Sequence, residues 1–440
     1  MNITRATRRG GLAAVSIFAA TALLTACSSG GAAPTAGDGT GEINVWSHQS
    51  ADGEVAAVQA AVDGFNASQS DVKVKLRLIP EDSYTTTINN TPQDQLPDVL
   101  DMDGPTVASL AYNGKLGTLA DFVSQETIDN ATDGSIAQGT YDGDLYALAQ
   151  FDSAMGFFGN KALLDAAGVE YPASAAEAWT ADEFAAAVET LAAASPSGKS
   201  LDITESALAG EWGTYGFAPL VWSAGGNLIE DGKAEGVLDS TESVQALTDF
   251  ATWKPFVDAN ADGKAFPEAR VAIGMGGHWL YPSYSEAIGS DLLVLPLPDM
   301  GNGAKAGAGS WTWGIGATTK NGKAAGEFLD YLLNDTNVNA MTAANGAPPA
   351  TQSAFTDAAL YQEGGALALW GDQLANACAS DAVTDSCVAV YRPVTPGYPT
   401  ITSKFSGALA AIWGGAAPQS ELSDAAKAID SNFADNSGYK

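Results

Sequence analysis

The chain has 440 residues, with 52 acidic and 20 basic side chains and a formal net charge of −32 at pH 7. This charge argues against nucleic acid as a partner, because phosphate binding needs clustered lysine and arginine, and it gives no attraction to an anionic membrane. Hydrophobic residues make up 46% of the chain, too many for a disordered acidic polymer. The length favours two folded domains over one.

The N-terminal segment has the pattern of an export signal. Three arginines precede an uncharged, largely apolar run at residues 10–26, so residues 1–26 are predicted to be a lipoprotein signal peptide. A permanent membrane span is the weaker interpretation, because the run is short for a bilayer. The run ends in LTAC, which resembles the bacterial lipobox, and Cys27 is the expected lipid attachment site. Residues 27–41 are predicted to be a flexible tether. Paired arginines leave the choice between general and twin-arginine export open.

The remaining cysteines indicate a disulfide and no metal site. Cys378 and Cys387 lie nine positions apart in a polar stretch, and outside the cytoplasmic membrane they are expected to pair. Zinc is not expected, because the chain has only two histidines, and no cofactor is predicted. Residues 258–263 match the opening of a calcium loop, but its twelfth position is Ala269. A turn is therefore the preferred interpretation, with calcium as the alternative.

Hydrophobic spacing along the chain predicts interleaved strands and helices. The first predicted elements are strand 43–46, helix 55–65, strand 72–78, a strand starting in 96–100, helix 105–113, and core-crossing strands in 141–158. Further helices are predicted at 161–167 before Gly168, after the capping box of Thr180 and Glu183, after Ser240, and at 328–333. Such alternation predicts an α/β fold with sheets covered on both faces.

Seven segments in fixed order carry a similarity to one protein family. They are FNASQSDVKVKLRLIP (65–80), LPDVLDMDGPTVASLAYNGKLGTLADF (96–122), YDGDLYALAQFDSAMGFFGNKALLDAAGVEYP (141–172), AWTADEFAAAVETL (178–191), FPEARVAIGMGGHWL (266–280), LLVLPLPDMGNG (292–303) and GAPPA (346–350). Together they resemble the extracellular solute-binding proteins of ABC importers, specifically the carbohydrate-binding family of maltose-binding-protein-like lipoproteins (family 1). The similarity runs nearly end to end.

The resemblance implies a two-lobed α/β fold of the type II periplasmic-binding-protein kind, with hinge strands and an interlobe cleft. The lobes would close on a ligand held between them. The implied crossings lie near 147–152, near 293–298, and between 334 and 346, which gives lobe 1 as 42–149 plus 297–340 and lobe 2 as 150–296 plus 341–440.

The same resemblance implies a binding protein, not an enzyme. It would be a monomer, lipid-anchored on the extracytoplasmic face, that captures a carbohydrate, expected to be an oligosaccharide, and delivers it to ABC permease subunits. Catalytic motifs such as the phosphate loop, G-x-S-x-G and H-E-x-x-H are absent from the sequence. A secreted glycoside hydrolase stays an alternative, because it too combines tryptophans with paired carboxylates. The other alternative keeps the fold but binds a cation such as a polyamine or peptide.

Sugar recognition needs carboxylates and amides beside aromatic faces, at the carboxyl ends of strands. Trp279 matches the family's tryptophan after a glycine-rich turn, which in relatives stacks on the sugar, and Asp152 falls where the family often has a cleft carboxylate. For Asp103 the alternative is a turn aspartate, and for Arg392 a structural ion pair is preferred over a contact with the carboxylate of an acidic sugar. The predicted ligand contacts are Trp46, His48, Gln49, Asp103, Asp152, Trp222, Trp279, Tyr281, Trp311 and Trp313.

Overall fold

The computed structural model describes residues 33–260 and 262–439, so the predicted signal peptide and Cys27 lie outside the described residues. Strands and helices alternate along the described chain, as the hydrophobic spacing predicts. The strands are β1 (Gly41–Gln49), β2 (Val72–Pro80), β3 (Val99–Asp103), β4 (Leu116–Gly117), β5 (Thr140–Tyr141), β6 (Asp144–Leu145), β7 (Ala147–Ala149), β8 (Met155–Asn160), β9 (Leu201–Asp202), β10 (Ile273–Gly277), β11 (Leu292–Leu295), β12 (Ala306–Ala308), β13 (Trp311–Gly316), β14 (Ala377–Ala379) and β15 (Ala389–Tyr391). The helices are α1 (Asp52–Ser68), α2 (Glu81–Asn90), α3 (Val107–Tyr112), α4 (Gln125–Asn130), α5 (Asp133–Gly139), α6 (Lys161–Ala167), α7 (Ala181–Ala194), α8 (Glu211–Ser223), α9 (Thr241–Ala251), α10 (Tyr281–Ile288), α11 (Gly322–Leu332), α12 (Asp335–Asn345), α13 (Gln352–Asp357), α14 (Ala368–Ala375), α15 (Tyr398–Trp413) and α16 (Pro418–Asp435).

The first sheet is built mainly from the N-terminal third of the chain. Its strand order is β2-β1-β3-β13-β4, and β7 pairs with β13. Strands β1, β2 and β3 are parallel, whereas β13 runs antiparallel to β3. Successive residues of a strand point to opposite faces, and Val99 and Leu100 accordingly belong to separate apolar clusters. Helices α1, α11 and α12 contribute to the first cluster and α2 and α3 to the second, so both faces are covered.

The second sheet has the order β11-β8-β10-β9, in which β9 and β10 are parallel and β8 is antiparallel to its neighbours. The adjacent residues Phe157 and Phe158 again point into separate clusters. The larger cluster includes side chains of α7, α8, α9, α15 and α16, and the smaller includes those of α10 and α14. A small third sheet, β12-β15-β14, and the β5-β6 hairpin complete the sheet structure of the described residues.

The chain crosses between the two main sheets at closely spaced places. Residues 150–154 lead from β7 to β8, and Gly309 and Ser310 lead from β12 to β13. A third connection, 346–351, follows α12. Isolated bridges join Phe151 to Pro349 and Ala154 to Ala308, so the crossings lie side by side as a waist.

The middle crossing lies later in the chain than the resemblance implies. The sequence places it near 293–298, but β11 pairs with β8 in the second sheet and β12 pairs with β15, so the chain joins the first sheet only at β13. Gly309 has a φ of +103°, which L side chains rarely adopt, and a Cβ there would lie 2.7 Å from Gln138 Oε1. Glycine is therefore required at this crossing.

Local sequence signals match the helix boundaries. Helix α6 ends at Gly168, whose φ of +68° is left-handed, as expected for a glycine C-cap. Thr180 and Glu183 form both hydrogen bonds of the predicted capping box at the start of α7.

The C-terminal part of the predicted tether is not free of the folded chain. Thr35 N donates to Thr319 O, and the carbonyls of Thr35 and Ala36 accept from the backbone N–H groups of Gly322 and Lys323 at distances of 2.9 and 2.8 Å. The first N–H groups of a helix lack partners within it, and these two carbonyls satisfy two such groups of α11. The structure therefore differs from a flexible tether that runs to residue 41.

The expected disulfide joins Cys378 to Cys387 across nine positions. Closing a loop of this length in the unfolded chain stabilises the native state by about 2.5 kcal/mol in the chain-entropy estimate. We therefore expect the Cys378→Ser, Cys387→Ser double variant to unfold at a lower urea concentration than the oxidised protein. A reductant should lower the midpoint of the wild type and leave that of the double variant unchanged. Equal midpoints for the oxidised protein and the variant would contradict the prediction.

Candidate functional site

Polar side chains meet at the edge of the first sheet where its parallel strands end. Ser47 and His48 lie near the end of β1, and Asp101 and Asp103 lie near the end of β3. Ser47 Oγ donates to Asp101 Oδ2 at 2.8 Å, and His48 N donates to Asp101 Oδ1 at 3.1 Å. The carboxyl ends of parallel strands share one edge of a sheet, which brings these residues together. Asp101 is nevertheless only 1% exposed, so Asp103 is the carboxylate of the two that faces outward.

His48 lies behind this edge and not on its surface. It is 6% exposed, its Nδ1 lies 2.8 Å from Asp101 Oδ2, and its ring stacks on the half-buried Trp311. Sequence reasoning placed His48 in contact with ligand because it follows a strand. The carboxylate of Asp101 could not be recognised as its buried partner, because 53 positions separate the two residues.

Arg392 joins the edge of the first sheet to the second half of the molecule. Its guanidinium donates to both carboxylate oxygens of Asp103, at 2.7 and 2.8 Å, and to Glu211 Oε1 at 2.7 Å. The guanidinium carbon lies 4.8 Å from the ring centre of Tyr215. Burial raises the pKa of Glu211, although Arg392 opposes this shift. The expected ion pair of Arg392 is thus present, and it bridges Asp103 at the end of β3 to Glu211 at the start of α8.

Asp152 lies in the first crossing and is enclosed there. Its Oδ2 accepts from the Tyr391 hydroxyl at 2.7 Å, and its Oδ1 accepts from Ser153 N at 2.7 Å. Burial raises the pKa of Asp152. The carboxylate connects the waist to β15 in this conformation, and a direct contact with ligand stays a prediction.

The second sheet carries an open pocket at the carboxyl ends of its parallel strands β9 and β10. The pocket has a volume of about 400 Å³. Trp212 and Trp279 lie on its wall with ring centres 6.1 Å apart and nearly perpendicular planes. Three carboxylates, those of Asp202, Glu205 and Asp258, also line it, and burial raises the pKa of Asp202. Indole faces beside carboxylate oxygens match the C–H faces and hydroxyl groups of a sugar.

Other predicted contact residues are distributed between surface and core. Trp46 is half-buried beneath the Arg77 guanidinium, Gln49 is exposed, and Tyr281 is half-buried at the start of α10. Trp313 is 4% exposed and packs in the core of the first sheet, whereas Trp311, two residues earlier, is half-buried at the sheet edge. For these five residues, a role in binding stays a prediction.

Trp222 lies in the core of the second sheet. It is 1% exposed, and its Nε1 donates to Asn227 Oδ1 at 2.9 Å. The sequence analysis predicts it as a ligand contact, but the residue belongs to α8, whose C-terminal half is entirely buried. No indole face of Trp222 is available to a ligand in this conformation.

The sequence reasoning missed the start of α8. Glu211 contacts Arg392, Trp212 lines the pocket, and Tyr215 lies below the guanidinium. The available signal was the segment GEWGTYG, which places one acid and two aromatic residues between glycines. Of these glycines, Gly216 packs against the Trp212 ring, which would lie 3.4 Å from a Cβ at that position.

The carboxylates of the possible calcium loop pair with an arginine. Arg270 donates from Nη1 to Asp262 Oδ2 at 2.9 Å, and its Nε lies 3.4 Å from Asp258 Oδ2. Asn260 N donates to Asp258 Oδ1, as in an aspartate turn. Across residues 33–260 and 262–439 no group of three possible metal ligands is found, and the turn is the interpretation that these contacts favour.

In the described ranges, every helix is too short or too polar to span a bilayer.

Comparison with solved structures shows the fold. The chain is similar to a cyclic alpha-maltosyl-1,6-maltose binding protein from Arthrobacter globiformis, with 22% identity over 89% of this chain and 98% of that one and a TM-score of 0.70. It is also similar to the GacH receptor of Streptomyces glaucescens, solved unliganded and with acarbose, with 21% identity, 90% and 98% coverage and a TM-score of 0.72. A third similar structure is an ABC substrate-binding protein from Listeria monocytogenes in complex with cycloalternan, with 18% identity, 89% and 99% coverage and a TM-score of 0.73. The predicted two-lobed fold is therefore confirmed.

The sequence was also compared with families of known proteins, and one family matches. No curated protein matches the chain. Residues 60–368 match the family described as bacterial extracellular solute-binding protein, which is more than half of the chain. The matched region includes the second sheet, the first sheet apart from β1, the three crossings and the pocket. The chain therefore belongs to the bacterial extracellular solute-binding protein family.

Proposed function

We propose that this protein captures an oligosaccharide between its two lobes and delivers it to the permease of an ABC importer. The observation that carries the proposal is the pocket at the ends of β9 and β10, where Trp212 and Trp279 stand beside carboxylates. The pocket adjoins α8, whose first residue, Glu211, shares Arg392 with Asp103 of the other sheet. The residues that line the pocket all belong to the second half of the molecule, and a ligand that extends from the pocket past Glu211 would approach Asp103 of the first sheet.

The similar structures support the choice of an oligosaccharide. The first is a binding protein for cyclic alpha-maltosyl-1,6-maltose, the second was solved in complex with acarbose, and the third was solved in complex with cycloalternan. A further similar structure, with a TM-score of 0.67, is a cyclo/maltodextrin-binding protein complexed with maltotetraose. A volume of about 400 Å³ falls within the range of roughly 300–1,000 Å³ that small-molecule sites have.

The lobes would follow the two main sheets. Lobe 1 would contain residues 41–149 together with 311–345, and lobe 2 would contain residues 155–308 together with 352–439. Ligand contacts on both lobes favour the closed form by their differential affinity, and the three adjacent crossings provide the place for bending.

The cellular setting follows from the N-terminus and the family. Proteins of this family are extracellular, and we propose that Cys27 carries the lipid that holds this one at the membrane. The family and the similar structures are binding proteins, and delivery to a permease as a monomer requires no bond chemistry.

The test is a thermal-shift screen of the exported protein against oligosaccharides, monosaccharides, polyamines and peptides. A ligand at 100 times its Kd should stabilise the native state by about 2.7 kcal/mol. We expect the largest shift with an oligosaccharide and no release of reducing ends after incubation. A shift with only polyamines or peptides would show that the ligand is one of these and not an oligosaccharide. Release of reducing ends would favour a glycoside hydrolase.

A further inference from the structure

Two aromatic rings are stacked at the lobe 1 side of the cleft. The centres of the His48 and Trp311 rings lie 3.7 Å apart, and their planes differ by 13°. His48 is 6% exposed and Trp311 is half-buried, so the imidazole lies behind the indole. The exposed part of this pair belongs to Trp311.

Trp311 occupies a position from which it can meet a ligand. It begins β13 directly after the crossing at Gly309 and Ser310, and it pairs in register with Asp103. Asp103 in turn contacts Arg392, which belongs to the other lobe. The indole therefore lies where the two lobes approach each other.

Two buried carboxylates hold the imidazole from both of its nitrogens. Asp101 Oδ2 lies 2.8 Å from Nδ1, and Glu54 Oε1 lies 3.5 Å from Nε2. All three side chains are at least nine-tenths buried. With a neutral imidazole, the two carboxylates would have no opposite charge beside them in a site that excludes water. A protonated ring resolves this, because buried charges are tolerated mainly in pairs.

The other groups near the His48 imidazole do not change the expectation that it is protonated. Tyr84 donates its hydroxyl hydrogen to the carbonyls of Trp46 and Asp101, and its ring lies 5.8 Å from that of Trp311. Glu81 on α2 adds a further negative charge near the imidazole, and His278 lies close enough to act on Glu54. Burial lowers the pKa of His48, but Asp101 and Glu54 overcome it and raise the pKa to about 10.

We propose that His48 is a positioning residue for ligand binding, whose imidazolium, held by Asp101 and Glu54, stacks on Trp311 and fixes the indole as the lobe 1 stacking surface. This role rests on the proposed capture of a carbohydrate. A cation against the face of an indole is attracted by its quadrupole, and the attraction is stronger where water is excluded. Fixing the indole before binding removes part of the ordering cost that the ligand would otherwise meet.

A double-mutant cycle on sugar affinity tests the proposal. We expect His48→Gln to weaken the best oligosaccharide of the screen about tenfold and Trp311→Leu about thirtyfold. Because His48 acts through Trp311, the double variant should bind no more weakly than Trp311→Leu alone. Losses that multiply in the double variant would overturn the positioning role.

The wild-type protein provides an independent readout if a variant fails to fold. The chain has only two histidines, so an NMR titration of the imidazole signals is simple to assign. His48 should remain protonated through neutral pH and lose its proton near pH 10, and sugar affinity should fall over the same range. Burial lowers the pKa of His278 to about 4, which makes it the internal control. A His48 that is neutral at pH 7 would overturn the proposal.

The same titration separates this inference from the proposed function. The ring current of Trp311 should shift the His48 signals, and Trp311→Leu should abolish that shift. If the wild type binds no carbohydrate while the shift is present, the proposed function fails and the positioning role fails with it. A bound sugar without the ring-current shift overturns the positioning role alone.

Discussion

Replacement of Trp279 by alanine is expected to weaken oligosaccharide binding about thirtyfold. Trp279 lies at the end of β10 on the wall of the lobe 2 pocket, beside Trp212 and Tyr215. A tryptophan that stacks on a ligand in a partly enclosed pocket contributes about 2 kcal/mol, and each 1.4 kcal/mol changes Kd tenfold. Titration calorimetry with the best oligosaccharide of the screen measures the change.

The matched control for this substitution is Trp179→Ala. Trp179 is also half-buried on the second sheet's side of the molecule, where its Nε1 donates to Glu170 O, but it is not part of the pocket wall. Its loss should lower thermal stability and leave Kd unchanged. Equal affinity of Trp279→Ala and the wild type would show that the sugar does not stack on Trp279.

Replacement of Arg392 by methionine is expected to weaken oligosaccharide binding by at least about 100-fold. Without the guanidinium, the carboxylates of Asp103 and Glu211 would face each other across the closed lobes with no cation between them. Loss of one partner from a buried ion pair costs about 3–5 kcal/mol, and here that cost falls on the closed form. Because a ligand must then favour a less populated closed form, its apparent affinity decreases.

Two further variants test whether the loss arises from the unpaired carboxylate. Adding Asp103→Asn to Arg392→Met should recover part of the affinity, because one of the two facing charges is removed. Lys427→Met removes a positive charge from an exposed position, where the ammonium lies 3.9 Å from Asp424, and should leave Kd unchanged. Failure of Asp103→Asn to restore any affinity would argue against the interlobe ion network.

The elements of the fold follow closely from local sequence signals. The strict alternation of residues 72–78 corresponds to β2, and the capping box at Thr180 marks the first turn of α7. These signals depend on residues that are close together in the sequence, so they can be recognised without knowledge of the tertiary structure. The position of the middle crossing could not be read in this way, because it depends on which distant strand each segment pairs with.

The residues of the candidate site that lie at strand ends could be predicted from the sequence. The pairing of its charged residues was harder to predict. Asp103 and Trp279 follow strands, and both lie where ligands of α/β sheets bind. The burial of His48 depends on Asp101 and Glu54, and the contacts of Arg392 depend on Glu211, whose position 181 residues away no local pattern reveals. The burial of Trp222 likewise depends on how α8 packs in the core of the second sheet, which no local pattern reveals.

A crystal structure of the protein with the best oligosaccharide of the screen tests the central claim most directly. We expect a sugar ring against Trp279 in the lobe 2 pocket and, in the same ligand, contacts with Asp103 or Trp311 on lobe 1. A ligand that contacts one lobe only, or that lies away from both indole groups, would contradict capture between the lobes.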